Sequence, residues 1–525
     1  MFLQLFQTYK IPILQATLSI SLSFLITFLK VPIFFLQGLH TYIQPENLGQ
    51  QNGGGGVKAA IRRPSSSDSS SGLDGYQNLS SKTNNSEVKR RNFKSKEKLE
   101  FDENKAQIFR LKLDQGHLQS RLYFGDYWYS FVYSFVALSC FLLYEYFGEV
   151  KDHAVLVNGS LIPVILACFV LCKVFVSLAK VSYEKSASKK SEKQLSMIFG
   201  VVGFVFGLIV CSGIASSVFD FDFGSLDGFG RVFVAVLMGC FAGFLYIPAG
   251  KNARSFWIGT DQIRSNLEMI YCGWFGRMIL YANYLLGFFA ALLWINPFAQ
   301  ILYSKNINYS YGMNSNGSAG EAERLVGNVG FTESDFNKFR LCCLFLSGIF
   351  QILALRPNVQ MYLNEALLSW YQRLHASKIP DLDFSRAKVF LHNHYLCLVV
   401  LQFFTTPILL LLFLSLSQID GDSIKKFHLW CDFIPCTAFV KQVPLFMAWW
   451  IVFVWTAFTS TSLLFYRRGT LISTSKDAQQ DLDRVQNMKE HLPHEWEFLA
   501  PILDVLVDIL LKKVTSHNIL RRTGC

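Results

Sequence analysis

Apolar residues in this chain fall into long uninterrupted runs separated by polar segments, and the lengths of those runs predict the elements. Nine stand out: 11–29, 127–147, 161–179, 197–215, 230–248, 278–296, 341–355, 396–417 and 444–465. At about 1.5 Å of rise per residue, a hydrocarbon core of about 30 Å takes roughly 20 apolar residues to cross. Backbone amides cannot stay unpaired in lipid, so each run is predicted to be helical. Four of them, 197–215, 278–296, 396–417 and 444–465, contain no charged residue. The stretch 341–355 is short, carries Gln351 and is bounded by Arg340 and Arg356, so it reads either as a span or as a re-entrant segment. The first run is read as a retained span: its apolar part exceeds a signal-peptide core, and no small-x-small cleavage site precedes Lys30. The predicted fold class is therefore all-α, a polytopic transmembrane helix bundle of about nine spans, with eight to ten allowed.

The segments between the runs divide the chain further. Residues 1–37 hold the first span, and 38–126 form a mostly disordered, basic, Gly/Ser-rich loop. Residues 127–467 make a bundle of about eight spans, and 468–525 form a tail. Within the loop, Gly53 to Gly56 and the serines from Ser65 to Ser71 cannot bury enough apolar area to fold. The loop ends in a basic cluster around Lys89, Arg90, Arg91, Lys94, Lys96 and Lys98, which suits anionic lipid or simply a solvated charge run. In the tail, 498–511 is apolar but places Asp504 and Asp508 four residues apart, which predicts an amphipathic helix. Between spans, Val359, Leu363, Ala366, Leu367, Trp370 and Leu374 recur at helical spacing opposite Asn364, Gln372 and Arg373, as in a helix lying in the membrane interface. A fainter pattern runs through Phe256, Ile263, Leu267 and Ile270. Each pattern follows a span and a proline, Pro248 or Pro357, which sketches a repeat of span, amphipathic helix, span.

Composition supports the membrane reading. The chain has 525 residues, 51% apolar and only 17% charged, and its 49 Phe would overfill a water-soluble core. The net charge of +11 could suggest nucleic acid, but the basic residues are distributed by topology. Loops predicted on one face, together with the tail, hold 37 of the 49 Lys and Arg, whereas the loops of the other face hold eight. Basic residues stay on the cytosolic side, so the N-terminus is predicted lumenal or extracellular and the C-terminus cytosolic, with no nucleic-acid partner. Sequons at Asn158, Asn308 and Asn316 fall on the lumenal side and are candidate N-glycosylation sites; those at Asn78 and Asn84 fall on the cytosolic side. Cys431 and Cys436 are also lumenal and form a candidate disulfide, against the alternative of free thiols.

Ionisable or amide side chains inside spans are the default functional candidates, because a charge in hydrocarbon costs several kcal/mol, about 3 on insertion scales. Lys173 and Glu145 are the charged ones, at opposite depths, and Lys173 also reads as snorkelling to the cytosolic surface. The uncharged candidates are Asn283, Gln351, Gln402 and the group Thr456, Thr459, Ser460, Thr461. They serve either as hydrogen-bonded glue between helices or as a polar path for an ion or small solute. Thr405-Thr406-Pro407 predicts a kink whose freed carbonyls the threonines satisfy. No HExxH, P-loop, GxSxG or spaced CxxC pairs occur, so no enzymatic activity, cofactor or metal is expected. His392 and His394, two residues apart, diverge on a helix and do not share a metal. Asp220 and Asp222 read as loop or capping carboxylates.

Four strings carry a resemblance to a known family. They are Gly243-Phe244-Leu245-Tyr246-Ile247-Pro248; Leu292-Leu293-Trp294-Ile295-Asn296-Pro297; Arg356 followed by Gln360-Met361-Tyr362-Leu363-Asn364; and Tyr395-Leu396-Cys397 running through Leu401-Gln402-Phe403 to Pro407. In this order and spacing, from about 120 to 467, the chain resembles the transmembrane protein 161 family. The resemblance implies a multi-pass membrane protein without established catalytic activity, whose animal relatives are associated with control of membrane ion currents. The Gly/Ser-rich loop and the tail beyond Arg468 depart from the family pattern. The expected function is accordingly a non-enzymatic regulator or scaffold of other membrane proteins such as ion channels. A transporter or channel is the alternative, and an intramembrane enzyme the second alternative.

Overall fold

The computed structural model describes residues 10–43, 107–148, 161–184, 190–214, 218–221, 223, 226–260, 272–302, 333–376, 383–419 and 436–468. Its helices are α1 (Lys10–Phe28), α2 (Val31–Leu36), α3 (Gln115–Gln119), α4 (Phe124–Gly148), α5 (Leu161–Ser182), α6 (Lys190–Cys211), α7 (Gly228–Thr260), α8 (Trp274–Leu292), α9 (Asn296–Leu302), α10 (Glu333–Leu353), α11 (Leu355–Ala376), α12 (Asp383–His394), α13 (Leu396–Ser417) and α14 (Cys436–Arg467). Two short strands, β1 (His40–Ile43) and β2 (Phe109–Lys112), pair antiparallel between α2 and α3. Among the described residues nine helices are long and apolar enough to cross a membrane: α1, α4, α5, α6, α7, α8, α10, α13 and α14. Each is built on one of the nine runs. The sequons at Asn158, Asn308 and Asn316, the Cys431–Cys436 pair and the amphipathic stretch of the tail lie outside the residues whose side chains are described.

The bundle is organised around α13, which is apolar on every face and therefore sits at the centre. Every residue from Leu396 to Leu412 is buried. Helices α4, α5, α10 and α14 pack around it, with Phe404 stacked on Phe131 at 5.4 Å. Pro407 removes the amide that would bond the Phe403 carbonyl. The helix nevertheless continues, and the hydroxyls of Thr405 and Thr406 donate to the Gln402 carbonyl at 3.2 and 3.5 Å, one residue before the freed group. In α14, the indole N–H groups of Trp449 and Trp450 donate to the carbonyls of Ala291 and Met238 at 3.0 and 3.1 Å, so neither is left unpaired in the core. The first span, α1, is peripheral, with Ile20, Phe24 and Phe28 exposed.

Helices α6 and α7 approach until their backbones touch. Gly200, Gly203 and Gly207 on one helix face Ala235, Gly239 and Gly243 on the other. A Cβ added at Gly203 would lie 2.6 Å from the Ala242 Cβ, and one at Gly239 would lie 2.8 Å from the Gly200 carbonyl oxygen. Ser196 uses this closeness to donate its hydroxyl to the Gly243 carbonyl at 2.7 Å. This is the small-xxx-small mode of packing between membrane helices.

One end of the bundle is covered, and is called the cap end below. There α11 and α12 lie against the helix ends, and the β1–β2 hairpin fastens them. The Gln360 amide accepts from the His40 N–H at 2.8 Å and donates to the His40 carbonyl at 3.1 Å, completing the strand's outer edge. Asn393 bonds the Thr41 hydroxyl and the Tyr42 carbonyl, and the Tyr42 hydroxyl donates to Asn364 Oδ1 at 3.0 Å. The α11 pattern predicted from sequence is present, since Val359, Leu363, Ala366, Leu367, Trp370 and Leu374 are all buried. Of its predicted polar face, Asn364 is buried under the hairpin whereas Gln372 is exposed, so protein covers both sides of α11 along its middle and leaves its end open. The fainter pattern begins inside α7, which runs unbroken past Pro248 to Thr260, whereas the chain turns at Ala354 between α10 and α11. The rest of the fainter pattern, Ile263, Leu267 and Ile270, lies outside the described residues.

Candidate functional site

A layer of charged side chains crosses the bundle at the cap end. Arg254 on α7 is its hub: Nη1 lies 3.4 Å from Glu365 Oε1 on α11, Nη2 lies 3.7 Å from Glu192 Oε1 on α6, and Nε donates to the Tyr466 hydroxyl on α14 at 2.5 Å. Glu365 Oε1 also accepts from Lys388 Nζ on α12 at 3.2 Å. One turn before Arg254, Lys251 donates to Gln402 Oε1 at 3.0 Å, and the Gln402 amide donates onward to the Val181 carbonyl of α5 at 3.1 Å. Seven helices are thus tied through one polar layer. Burial alone would raise the Glu365 pKa, but Arg254, Lys388 and His392 outweigh it and hold the carboxyl down to about 2.

His392 sits beside this layer with its ring stacked on Tyr362, centroids 4.5 Å apart. Its Nδ1 lies 2.9 Å from the Lys388 carbonyl, an acceptor only, so that nitrogen carries the proton and donates. Burial penalises the imidazolium and pulls the pKa down to about 4, against the opposing attraction of Glu365. Both shifts carry the same sign for stability. Below pH 6.5 an unfolded His392 takes up a proton that the folded one refuses until about pH 4. Below pH 4.5 an unfolded Glu365 is protonated while the folded one stays ionised to about pH 2. Thermal melts of the purified protein are expected to show stability falling from pH 6.5 towards 4, by roughly 3 kcal/mol for a shift of this size. In His392→Phe that part of the pH dependence should flatten; an unchanged profile would remove His392 as its source.

Near the charged layer, whose Lys251 adjoins its Asn252, lies a small cavity lined by Asn252, Asn283, Gln351, Asn358, Thr456 and Thr459, with Phe256, Leu280, Tyr284, Gly287 and Trp455 completing its wall. About 20 Å³ of it is open to the centre of a water molecule. Oxygens of Asn283, Gln351, Asn358 and Thr459 are buried without a protein partner among the described residues.

At the far end, Arg340 of α10 pairs with Asp220 and stacks over Trp294, its Cζ 4.0 Å from the ring centre. This explains the ambiguous seventh run. Helix α10 begins at Glu333, eight residues before the apolar stretch, so Arg340 falls inside a span-length helix. Its charge is met by the carboxylate and two aromatic faces, Trp294 and Phe336. Asp220, read from sequence as a loop or capping carboxylate, is its partner.

Of the five candidate polar positions, Asn283 and Gln351 meet in the cavity, joined by Thr456 and Thr459. Gln402 lies in the charged layer. Lys173 and Glu145 are exposed on the outer surface of the bundle and join neither group. Sequence reading missed Arg254, Glu365, Lys251, Lys388 and Asn358, which it placed in connecting segments. The three cations among them, Arg254, Lys251 and Lys388, were visible only as contributions to the charge bias.

Spans, packing and polar centres together define an integral multi-pass α-helical membrane protein. The family model described as "Predicted transmembrane protein 161AB" matches residues 66–230 and 227–422, most of the chain, and the protein belongs to that family. Neither the curated proteins nor the solved structures provide a match.

Proposed function

We propose that this protein is a non-enzymatic regulator or scaffold of other membrane proteins, with ion channels as the first partner class to test, oriented with the cap end in the cytosol. The observation that carries this reading is the sealed centre: α13 is buried along nearly its whole length, and a tied polar layer closes the cap end over it. Such a core holds its shape while lipid-facing helices such as α1 remain available to neighbours. The polar cavity favours a second reading, a transporter or channel for an ion, because buried amides and hydroxyls converge there from four spans and the cap.

Crosslinking and affinity purification in mild detergent, followed by flux assays on the pure protein in liposomes, separate the two. A reproducible membrane-protein partner without intrinsic flux is the expected result. Ion-selective flux from the pure protein overturns it in favour of transport.

A further inference from the structure

The cavity beneath the cap has a donor set that points to a ligand. Asn283 comes from α8, Gln351 from α10, Asn358 from α11 and Thr459 from α14, so four separate helices each bring one oxygen to it. Each of those oxygens, Asn283 Oδ1, Gln351 Oε1, Asn358 Oδ1 and Thr459 Oγ1, is buried without a protein hydrogen-bond partner among the described residues. Gln351, Asn358 and Thr459 are 7%, 4% and 3% exposed, so bulk water does not compensate them. A buried polar atom left unpaired costs about 1–3 kcal/mol, and four in one place call for a common occupant.

The chemistry of the occupant follows from the lining. All four unpaired atoms are electron-rich oxygens, three amide carbonyls and one hydroxyl, a set that attracts positive charge. No carboxylate lines the cavity. Divalent ions are usually bound with carboxylates that offset their charge and dehydration, whereas neutral oxygens suffice for a monovalent ion, as in carbonyl-lined filters. The α7 cations of the charged layer are engaged elsewhere, Lys251 with Gln402 and Arg254 with Glu365, Glu192 and Tyr466. The space, about 20 Å³ for a water-sized centre, exceeds the roughly 10–15 Å³ that one water requires. It admits one water or one dehydrated monovalent ion, and no organic solute.

We infer that Asn283, Gln351, Asn358 and Thr459 form a binding site for a monovalent metal cation, sodium or potassium, between α8, α10, α11 and α14. Through Asn358 the ion would bridge the spans to the cap, since α11 also carries the Gln360 that holds the hairpin.

The test uses the purified full-length protein in nanodiscs, with thermal unfolding followed in sodium, potassium and choline chloride at one ionic strength, and retention of radioactive sodium or rubidium read in parallel. Sodium or potassium should raise the unfolding midpoint saturably relative to choline, and isotope should be retained. Gln351→Leu and the isosteric Thr459→Val should each weaken the apparent affinity at least about tenfold. Should Gln351→Leu fail to fold, Gly287→Ala tests the same space without removing an oxygen, because its new Cβ would lie 3.2 Å from Thr456 Oγ1 in the cavity wall; it too should weaken binding. Equal midpoints in the three salts with no retained isotope would mean water alone fills the cavity, and would overturn the site. A cation effect unchanged in every variant would overturn it as well, because the ion would then bind elsewhere. Flux measured on the same purified protein reconstituted in liposomes keeps the site separate from the regulator reading: binding without flux is compatible with both, whereas binding with flux retains the site and replaces the regulator by a transporter.

Discussion

Glu365→Gln is expected to destabilise the protein more than any other single change in the charged layer. The carboxylate stands between Arg254 and Lys388, at 3.4 and 3.2 Å, and its side chain is only 15% exposed. Removing one member of a buried ion pair leaves the partner's charge uncompensated and costs about 3–5 kcal/mol. Here the partners are 33% and 26% exposed, which screens part of the loss, so about 3 kcal/mol is the expected size. Glu192→Gln provides the comparison. Its contact with Arg254 is longer, 3.7 Å, and 30% exposed, so its loss should cost about 1 kcal/mol or less. Thermal unfolding of the two variants in the same detergent decides the matter. Equal losses would mean that Glu365 is no more central than its neighbour, and that the cap is held by the hairpin alone.

Gly239→Leu carries the second large effect. Its Cα side faces backbone, with the Gly200 carbonyl oxygen and the Phe204 amide nitrogen 2.8 and 3.1 Å from where a Cβ would sit. A flexible side chain could swing aside, but a main chain can yield only by moving a helix. Overpacking of this kind typically costs about 1–3 kcal/mol and occasionally more; with α6 forced away from α7 along an interface of five glycines, about 3 kcal/mol or outright loss of folded protein is expected. Gly125→Ala is the matching control, since nothing lies within 4 Å of its added Cβ. Size-exclusion profiles and melting curves of both variants check this. A monodisperse Gly239→Leu with the wild-type midpoint would show that the two helices do not need their close approach.

The spans were readable from sequence because the hydrocarbon imposes one length and one composition on every crossing segment, a constraint that needs no partner information. Gln351 and Asn283 were likewise readable as candidates, because an amide in an apolar run is conspicuous. That they share a cavity with Asn358 depends on the rotation of three helices, which no run of letters encodes. Arg254 and Glu365 were hidden for a different reason. Helix α7 continues beyond Pro248, and α11 packs under the hairpin, so residues that a hydropathy profile assigns to a wet connection are enclosed in protein. The glycine spacing of α6 and α7 was a legible signal that went unread: Gly239 and Gly243 lie four apart, as do Gly203 and Gly207. Strands β1 and β2 were beyond sequence reading, since four-residue segments show no dependable alternation and these two are separated by 65 residues, 44–108.

That small sheet has a consequence for how the protein tolerates change. The last pair of the ladder, Ile43 with Phe109, brings both mouths of the intervening segment together and fixes them against α11 and α12. For a flexible insertion between those mouths, doubling the length adds only about 0.6 kcal/mol of closure entropy. The position is therefore a natural insertion port: an affinity tag placed between residues 44 and 65, ahead of the stretch that the family model matches, should leave the membrane core intact, with an unchanged melting midpoint as the readout.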